Sequence, residues 1–203
     1  MSFSYLLQGL LMPAKRPAPR LALVNEQNMS ETQHALLASL RAGPRGASIT
    51  PRGPFAAWMH APELGELTQK LGAYCRYGTT LPPRLSEFAI LCTARLWRAQ
   101  YEWFAHAPMA AKGGVHPKTI EDLRRGRLPR SASKDERAIY DFIQELYKTK
   151  RVGERTYKRL QSLLGDKATV ELVGILGYYA LISMTLNVFQ RLPPESEKLA
   201  FPE

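Results

Sequence analysis

Five ionisable side chains in the middle of the sequence are spaced so that one helix would bring them to one face: Glu87, Arg95, Arg98, Glu102 and His106. An α-helix turns by about 100° per residue, so these side chains would share an arc of about 100°. A carboxylate beside an imidazole in a partly dry cleft can exchange protons with a substrate. Arginine can hold a substrate carboxylate through two parallel hydrogen bonds. The spacing therefore predicts Glu87, Glu102 and His106 as catalytic residues and Arg95 and Arg98 as substrate ligands.

A solvated helix face would explain the same stripe, because Glu102 and His106 are four residues apart and would support each other on a surface. A pocket wall is favoured by small and apolar residues among the charges, namely Leu91, Ala94 and Ala105, with aromatic residues on either side. Two carboxylates and an imidazole also suit zinc, manganese or iron. The stripe lacks a second histidine at ligand spacing, so we predict no metal and no cofactor.

Further candidates lie outside this stripe. Phe55 and Trp58 are predicted as apolar walls of the pocket, since sites for small molecules are mostly apolar with few polar groups. His60 could line the pocket from the loop before the second helix, but a partly exposed loop position is the favoured interpretation. Glu171, in a segment with Tyr178 and Tyr179, faintly repeats the Glu87 pattern and reads either as an internal duplication or as a polar anchor in core packing.

Helical signals cover most of the chain, and no segment alternates with the period of a strand. We predict an all-α, single-domain helical bundle at 21–203, preceded by a flexible tail at 1–20 in which prolines punctuate a basic stretch. The predicted helices run from Ser30 to Arg41, Pro62 to Tyr77, Pro82 or Pro83 to His106, Thr119 to Arg125, Lys134 to Lys150, Thr156 to Leu164 and Ala168 to Phe189. Residues 172–189 are apolar enough to suggest a membrane span, but Glu171, Asn187 and two glycines favour a core helix.

Composition narrows the functional classes. The 203 residues carry a formal net charge of +10, but the basic residues are spread along the chain, so we expect neither a nucleic-acid nor a membrane partner. Cys75 and Cys92 form no CxxC pair and are expected to be buried thiols, which fits the reducing cytoplasm.

The helical run Leu81–Arg95, followed by Tyr101–His106, resembles the signature helix of the carboxymuconolactone decarboxylase-like family in the alkylhydroperoxidase D-like superfamily. Together the matches cover about Gly53–Phe189. The others are Ala110 with Gly114, Asp135–Leu146, Glu171–Tyr179 and Met184–Asn187.

The resemblance implies an all-helical homo-oligomer with a pocket lined by the signature helix. Activities known in that superfamily include cofactor-free decarboxylation of lactone acids and thiol-based peroxide reduction. The peroxidase branch uses a CxxC pair before a histidine, and this sequence has Ala99 and Glu102 before His106 instead. Without an attacking and a resolving thiol, disulfide cycling cannot run there.

We therefore predict a cofactor-independent lyase, a decarboxylase or an isomerase that acts on a small carboxylated or lactone-like molecule. Arg95 would position a carboxylate, His106 and Glu102 would move the proton, and Glu87 would orient or polarise that pair. Two alternatives stay open. One is an antioxidant, peroxidase-like protein that depends on Cys75 or Cys92, and the other is a non-catalytic binding module that uses the basic surface.

Overall fold

A computed structural model describes residues 16–202, which form eight α-helices and no strand. The all-α prediction is confirmed. A 3-10 turn at Glu26–Asn28 precedes the first helix, and a π-helical segment at Tyr74–Gly78 follows the third. The helices are α1 (Glu31–Ala42), α2 (Pro54–Trp58), α3 (Pro62–Ala73), α4 (Pro83–Leu96), α5 (Gln100–Gly113), α6 (Pro117–Arg124), α7 (Lys134–Thr149) and α8 (Glu154–Val188).

Local sequence explains where several helices begin. Ser30 and Gln33 form a reciprocal cap at α1, in which the Ser30 N–H donates to Gln33 Oε1 at 2.9 Å and the Gln33 N–H donates to Ser30 Oγ at 3.3 Å. At α7 the Ser133 N–H donates to Glu136 Oε2 at 2.8 Å. Helices α3, α4 and α6 each have proline in their first turn, where a missing N–H costs nothing.

The predicted continuous helix from Pro83 to His106 is wrong, because the chain turns between α4 and α5. Arg98 has a φ of +50°, and the Ala99 N–H donates to the Ala94 carbonyl at 2.9 Å, which closes the end of α4 with a left-handed residue. Glycine or asparagine usually occupies the left-handed position of such a turn, but here it is Arg98, so the sequence did not predict the turn. The two helices pack against each other, with Gly113 at the end of α5 close to the backbone of Arg84 at the start of α4.

Helix α4 lies in the middle of the core and packs against α5, α7 and α8. Its side chains Phe88, Ile90 and Leu91 are at most 1% exposed. Burial of each such side chain contributes about 1.5–3 kcal/mol relative to exposure. The core is completed from α7 and α8 by Ile139, Ile143, Leu172, Ile175 and Leu186.

Helix α8 is broken at Gly165, whose φ of +80° and ψ of 171° are not helical, in agreement with the predicted stop at that glycine. Within residues 16–202, α8 is the one helix that is long and apolar enough to cross a membrane. Its most apolar 18-residue window has a mean hydropathy of 1.5, and 61% of that window is buried inside the fold.

Residues 16–20 of the predicted tail lie against the end of α8. The Arg20 N–H donates to the Phe189 carbonyl at 3.1 Å, and Arg16 donates to the carbonyl of Pro194 at 2.9 Å. The rest of the predicted tail, residues 1–15, and residue 203 lie outside the described residues.

Candidate active site

The α4–α5 pair brings together the three predicted catalytic side chains. Glu87 projects from α4, and Glu102 and His106 project from α5 one turn apart. His106 Nδ1 lies 2.7 Å from Glu87 Oε2, and His106 Nε2 lies 3.3 Å from Glu102 Oε2. All three side chains are buried, with 6%, 3% and 5% exposure for Glu87, Glu102 and His106. The histidine ring therefore lies between two buried carboxylates.

The two carboxylates play different parts. Because a carboxylate can only accept, the short contact with Glu87 places an N–H on His106 Nδ1 and leaves Nε2 for Glu102. Glu102 Oε2 has no hydrogen-bond partner among the described residues. Its distance from Nε2 suits an ion pair, but the alignment does not suit a hydrogen bond. Tyr179 packs edge-on against the imidazole at 5.0 Å between ring centroids and fixes the plane of the ring.

Burial raises the pKa of the Glu102 carboxyl, and the nearby charge of Glu87 raises it further, while His106 and Arg76 act in the opposite direction. Burial, with the charge of Glu102, also raises the pKa of Tyr179, which therefore stays neutral. The Glu102 carboxyl therefore holds a proton more readily than an ordinary glutamate does.

A pocket of about 230 Å³ opens onto this cluster. Glu102 and His106 line it, whereas Glu87 does not, so Glu87 supports the histidine from behind. The predicted wall residue Phe55 lines the pocket, and Trp58 lies behind the wall, 5.6 Å from Phe55 and 6.5 Å from Tyr178 between ring centroids. The other lining residues are Arg45, Ile49, Thr50, Arg52, Pro54, Arg76, Tyr101, Ala105, Met109, Tyr178, Tyr179 and Ile182.

Arg95 and Arg98 do not reach this pocket, so the prediction that they share a face with Glu102 and His106 is wrong. The turn after α4 removes the common helix on which that prediction rested. Arg95 Nε donates to the Arg124 carbonyl at 3.2 Å, and its guanidinium lies 5.2 Å from the centre of the Phe201 ring. Arg98 donates to the carbonyl of Pro202. Both line a separate pocket.

The arginines that line this pocket are Arg45, Arg52 and Arg76, and none of them was predicted as a site residue from the sequence. Arg45 and Arg52 belong to the loop rich in glycine, proline and arginine before α2, and that basic loop was the available signal. Arg45 lies over the Phe55 ring at 5.1 Å. Arg76 comes from the π-helical segment, which no sequence pattern announced, and its guanidinium contacts the sulfur of Met109.

The two cysteines, Cys75 and Cys92, are both buried and free. Burial raises the pKa of Cys75 to about 11 and that of Cys92 further, so neither forms a thiolate readily.

Among the described residues, no group of three His, Cys, Asp or Glu side chains is arranged to hold a metal. Glu87 and Glu102 face opposite nitrogens of His106 and do not converge on one point.

The remaining candidates have structural roles in this fold. His60 is exposed, and its Nε2 lies 3.0 Å from the carbonyl oxygen of Ala22. Glu171 is buried and accepts hydrogen bonds from the Tyr74 hydroxyl at 2.8 Å and the Thr80 N–H at 2.7 Å. Although burial acts in the opposite direction, the hydrogen bonds from Thr80 and Tyr74 lower the pKa of Glu171. Glu171 is therefore a polar anchor, one of its two predicted readings.

Comparison with solved structures identifies the fold of this chain. No protein-family model matches the sequence, and no curated protein matches it. Six chains of solved structures match. One is the crystal structure of an alkylhydroperoxidase AhpD core, described as an uncharacterized peroxidase-related protein from Ralstonia eutropha JMP134. It is 15% identical with a TM-score of 0.70, over 90% of this chain and 95% of that chain. The predicted AhpD-like fold is thereby confirmed.

Proposed function

We propose that this protein is a cofactor-independent enzyme that transfers a proton to or from a small carboxylated or lactone-like molecule, as a lyase, a decarboxylase or an isomerase. One observation carries the proposal. A buried histidine is held by one carboxylate from behind, while its other nitrogen and a second carboxylate without a hydrogen bond line a pocket. Perturbed ionisable groups in a pocket are typical of acid–base sites.

The geometry suggests a role for each group. Glu87 holds the Nδ1–H of His106, so that Nε2 and the Glu102 carboxyl are the two groups at the pocket wall that can deliver or take up a proton. In a decarboxylation, the bond to the departing carboxyl group breaks, its electron pair moves into a conjugated carbonyl, and this proton is delivered to carbon. In an isomerisation, the same pair removes a proton from one carbon and returns it to another.

The pocket also suits an anionic substrate. Arg45, Arg52 and Arg76 line it, and arginine forks match the geometry of carboxylates. Arg76 is the best placed to anchor a carboxylate near the reacting carbon, since its charge acts on both Glu102 and Tyr179. The only acceptor of its guanidinium within residues 16–202 is a methionine sulfur, a weak one.

A thiol peroxidase activity has less support. The structural relative is described as peroxidase-related, but disulfide cycling needs two thiols within bonding reach, one of them as thiolate. The two cysteines here are buried, with raised pKa values. If any peroxide turnover is unchanged in the Cys75→Ser, Cys92→Ser double variant, a thiol mechanism is excluded.

The proposal is tested by proton exchange, which requires no prior choice between decarboxylation and isomerisation. A panel of small carboxylates and lactones is incubated with the protein in D₂O, and deuterium incorporation is followed by mass spectrometry. We expect His106→Ala to lower exchange about 10²- to 10⁴-fold, the range of a general acid–base group, and Glu102→Gln to do the same.

The matched control is His116→Ala, which removes an exposed histidine at the start of α6. Its exchange rate should equal that of the wild type, and circular dichroism should show the same helix content in all variants. Exchange that survives both active-site changes would contradict the proposed roles of His106 and Glu102.

A further inference from the structure

A second pocket, of about 220 Å³, lies between α4, α6 and α7 and shares no lining residue with the Glu102–His106 pocket. We call it the arginine pocket, after Arg95, Arg98 and Arg127 in its wall. Its other polar lining residues are Tyr140 and Gln144 on α7, and Cys92 lies at its buried end. Nothing in the proposed proton-transfer reaction uses these residues.

The wall of the arginine pocket is positively charged. Three arginines line it, and no carboxylate does. Asp122, which pairs with Arg127 at 2.8 Å, lies outside the lining and offsets one of the three charges. Concentrated positive charge with partly apolar walls attracts small anions.

Several donors in this pocket are unused. None of the hydrogen bonds within residues 16–202 involves the terminal nitrogens of Arg95, the Tyr140 hydroxyl or the Gln144 amide, although all three side chains are only partly exposed. A guanidinium, a hydroxyl and an amide together offer several N–H and O–H groups to one acceptor. The chemistry of the wall therefore matches a group with several acceptor oxygens.

Arg95 is held in place before any ligand arrives. Its Nε donates to the Arg124 carbonyl, and its plane lies over the Phe201 ring. Gly126 makes room for it, because a Cβ at that position would come within 2.5 Å of an Arg95 terminal nitrogen. The φ of Gly126 is +66°, which also favours glycine. An arginine fixed in this way loses little conformational entropy on binding.

We propose that the arginine pocket is a binding site for the carboxylate or phosphate group of a small anion, separate from the proton-transfer site. Arg95 and Arg127 supply charge-assisted hydrogen bonds, and Tyr140 and Gln144 supply neutral ones. The proposal does not rest on the proposed enzymatic function, because the two pockets have no residue in common.

The test is a titration of the whole protein with inorganic phosphate, followed in ¹H–¹⁵N spectra. We expect saturable shifts in the amides of residues 123–127 and 140–144. Gln144→Ala should weaken phosphate binding about fivefold, the loss of one neutral hydrogen bond, and Arg127→Gln about tenfold or more, the loss of one charge-assisted hydrogen bond. A parallel titration with acetate shows which of the two oxyanions the site prefers.

Arg125→Gln is the matched control, because it removes the same charge from an exposed residue that lies outside the pocket and pairs with Glu121. Its phosphate affinity should stay within about twofold of the wild type, as expected for a long-range charge effect in salt. The proposal is overturned by shifts that saturate with neither phosphate nor acetate, by shifts confined to residues 45–55 and 76, or by equal losses in the Arg125 and Arg127 variants.

Discussion

Glu102 and Glu171 are both almost completely buried, at 3% and 6% exposure, but their surroundings are opposite. Glu171 accepts hydrogen bonds from Tyr74 and Thr80 and has a lowered pKa. Glu102 has an oxygen without any hydrogen bond within residues 16–202 and has a raised pKa. A buried carboxylate with full hydrogen bonding stabilises the charged form, and one without it favours the neutral form.

We propose that this difference separates a structural glutamate, Glu171, from a functional one, Glu102. Glu171 joins α8 to the π-helical segment and the loop after it. Glu102 instead lines a pocket, where burial without a hydrogen bond disfavours its charged form.

Replacing Glu171 with alanine should cost the most stability. Three hydrogen bonds are lost and their donors are left in a partly buried site, so we expect the free energy of unfolding at pH 7 to fall by about 3 kcal/mol. Because the pKa of Glu171 is lowered in the fold, its contribution is present at neutral pH and is lost as the pH falls through that pKa. Urea unfolding at pH 7 and pH 3 measures both effects. The control Glu154→Ala, at an exposed ion pair, should change stability little, and an equal loss there would refute the anchor role.

Replacing Glu102 with glutamine should raise the free energy of unfolding, whereas the Glu171 substitution lowers it. The raised pKa means that the folded state binds the proton more tightly than the unfolded state, so stability falls as the pH rises above the ordinary glutamate range. Glutamine removes that penalty, and we expect a gain of about 1 kcal/mol at pH 8 that shrinks towards pH 4. Thermal unfolding across this pH range measures the difference. A variant less stable than the wild type at pH 8 would place Glu102 with the structural glutamates.

Tyr74→Phe should give the smallest effect, because it removes one of the hydrogen bonds to Glu171 and leaves the others. The pKa of Glu171 should rise, and the free energy of unfolding should fall by a smaller amount than the change expected in either preceding variant. Tyr77→Phe is the control, since Tyr77 is equally exposed and its hydroxyl makes no hydrogen bond within residues 16–202. Equal effects in the two variants would show that the phenol contributes packing alone.

The sequence predicted most of the helices and that Glu87, Glu102 and His106 lie together, but not how the fold brings these three side chains together. The caps at Ser30 and the prolines before α3 and α4 are local signals, so they could be read directly. Glu87 and His106 were placed on one helix, whereas the structure joins them across a turn between two helices. Arg98 adopts a left-handed conformation there without a glycine, and the closure of that turn by burial of Ala99 is a tertiary effect.

The three arginines that line the Glu102–His106 pocket show the same limit. The charges in the loop before α2 were visible, but their approach to α5 depends on how that loop packs. Arg76 reaches the pocket from a π-helical segment, a backbone distortion with no sequence pattern of its own. Long-range packing decides both positions.

The most direct test is the pKa of the Glu102 side chain, measured by carboxyl ¹³C NMR in the wild type and in Glu87→Gln. We predict a value above that of an ordinary glutamate in the wild type, and a lower value in Glu87→Gln, where the second carboxylate charge is gone. A Glu102 pKa at or below the ordinary glutamate value would contradict the proposal that this carboxyl carries a transferable proton at the pocket.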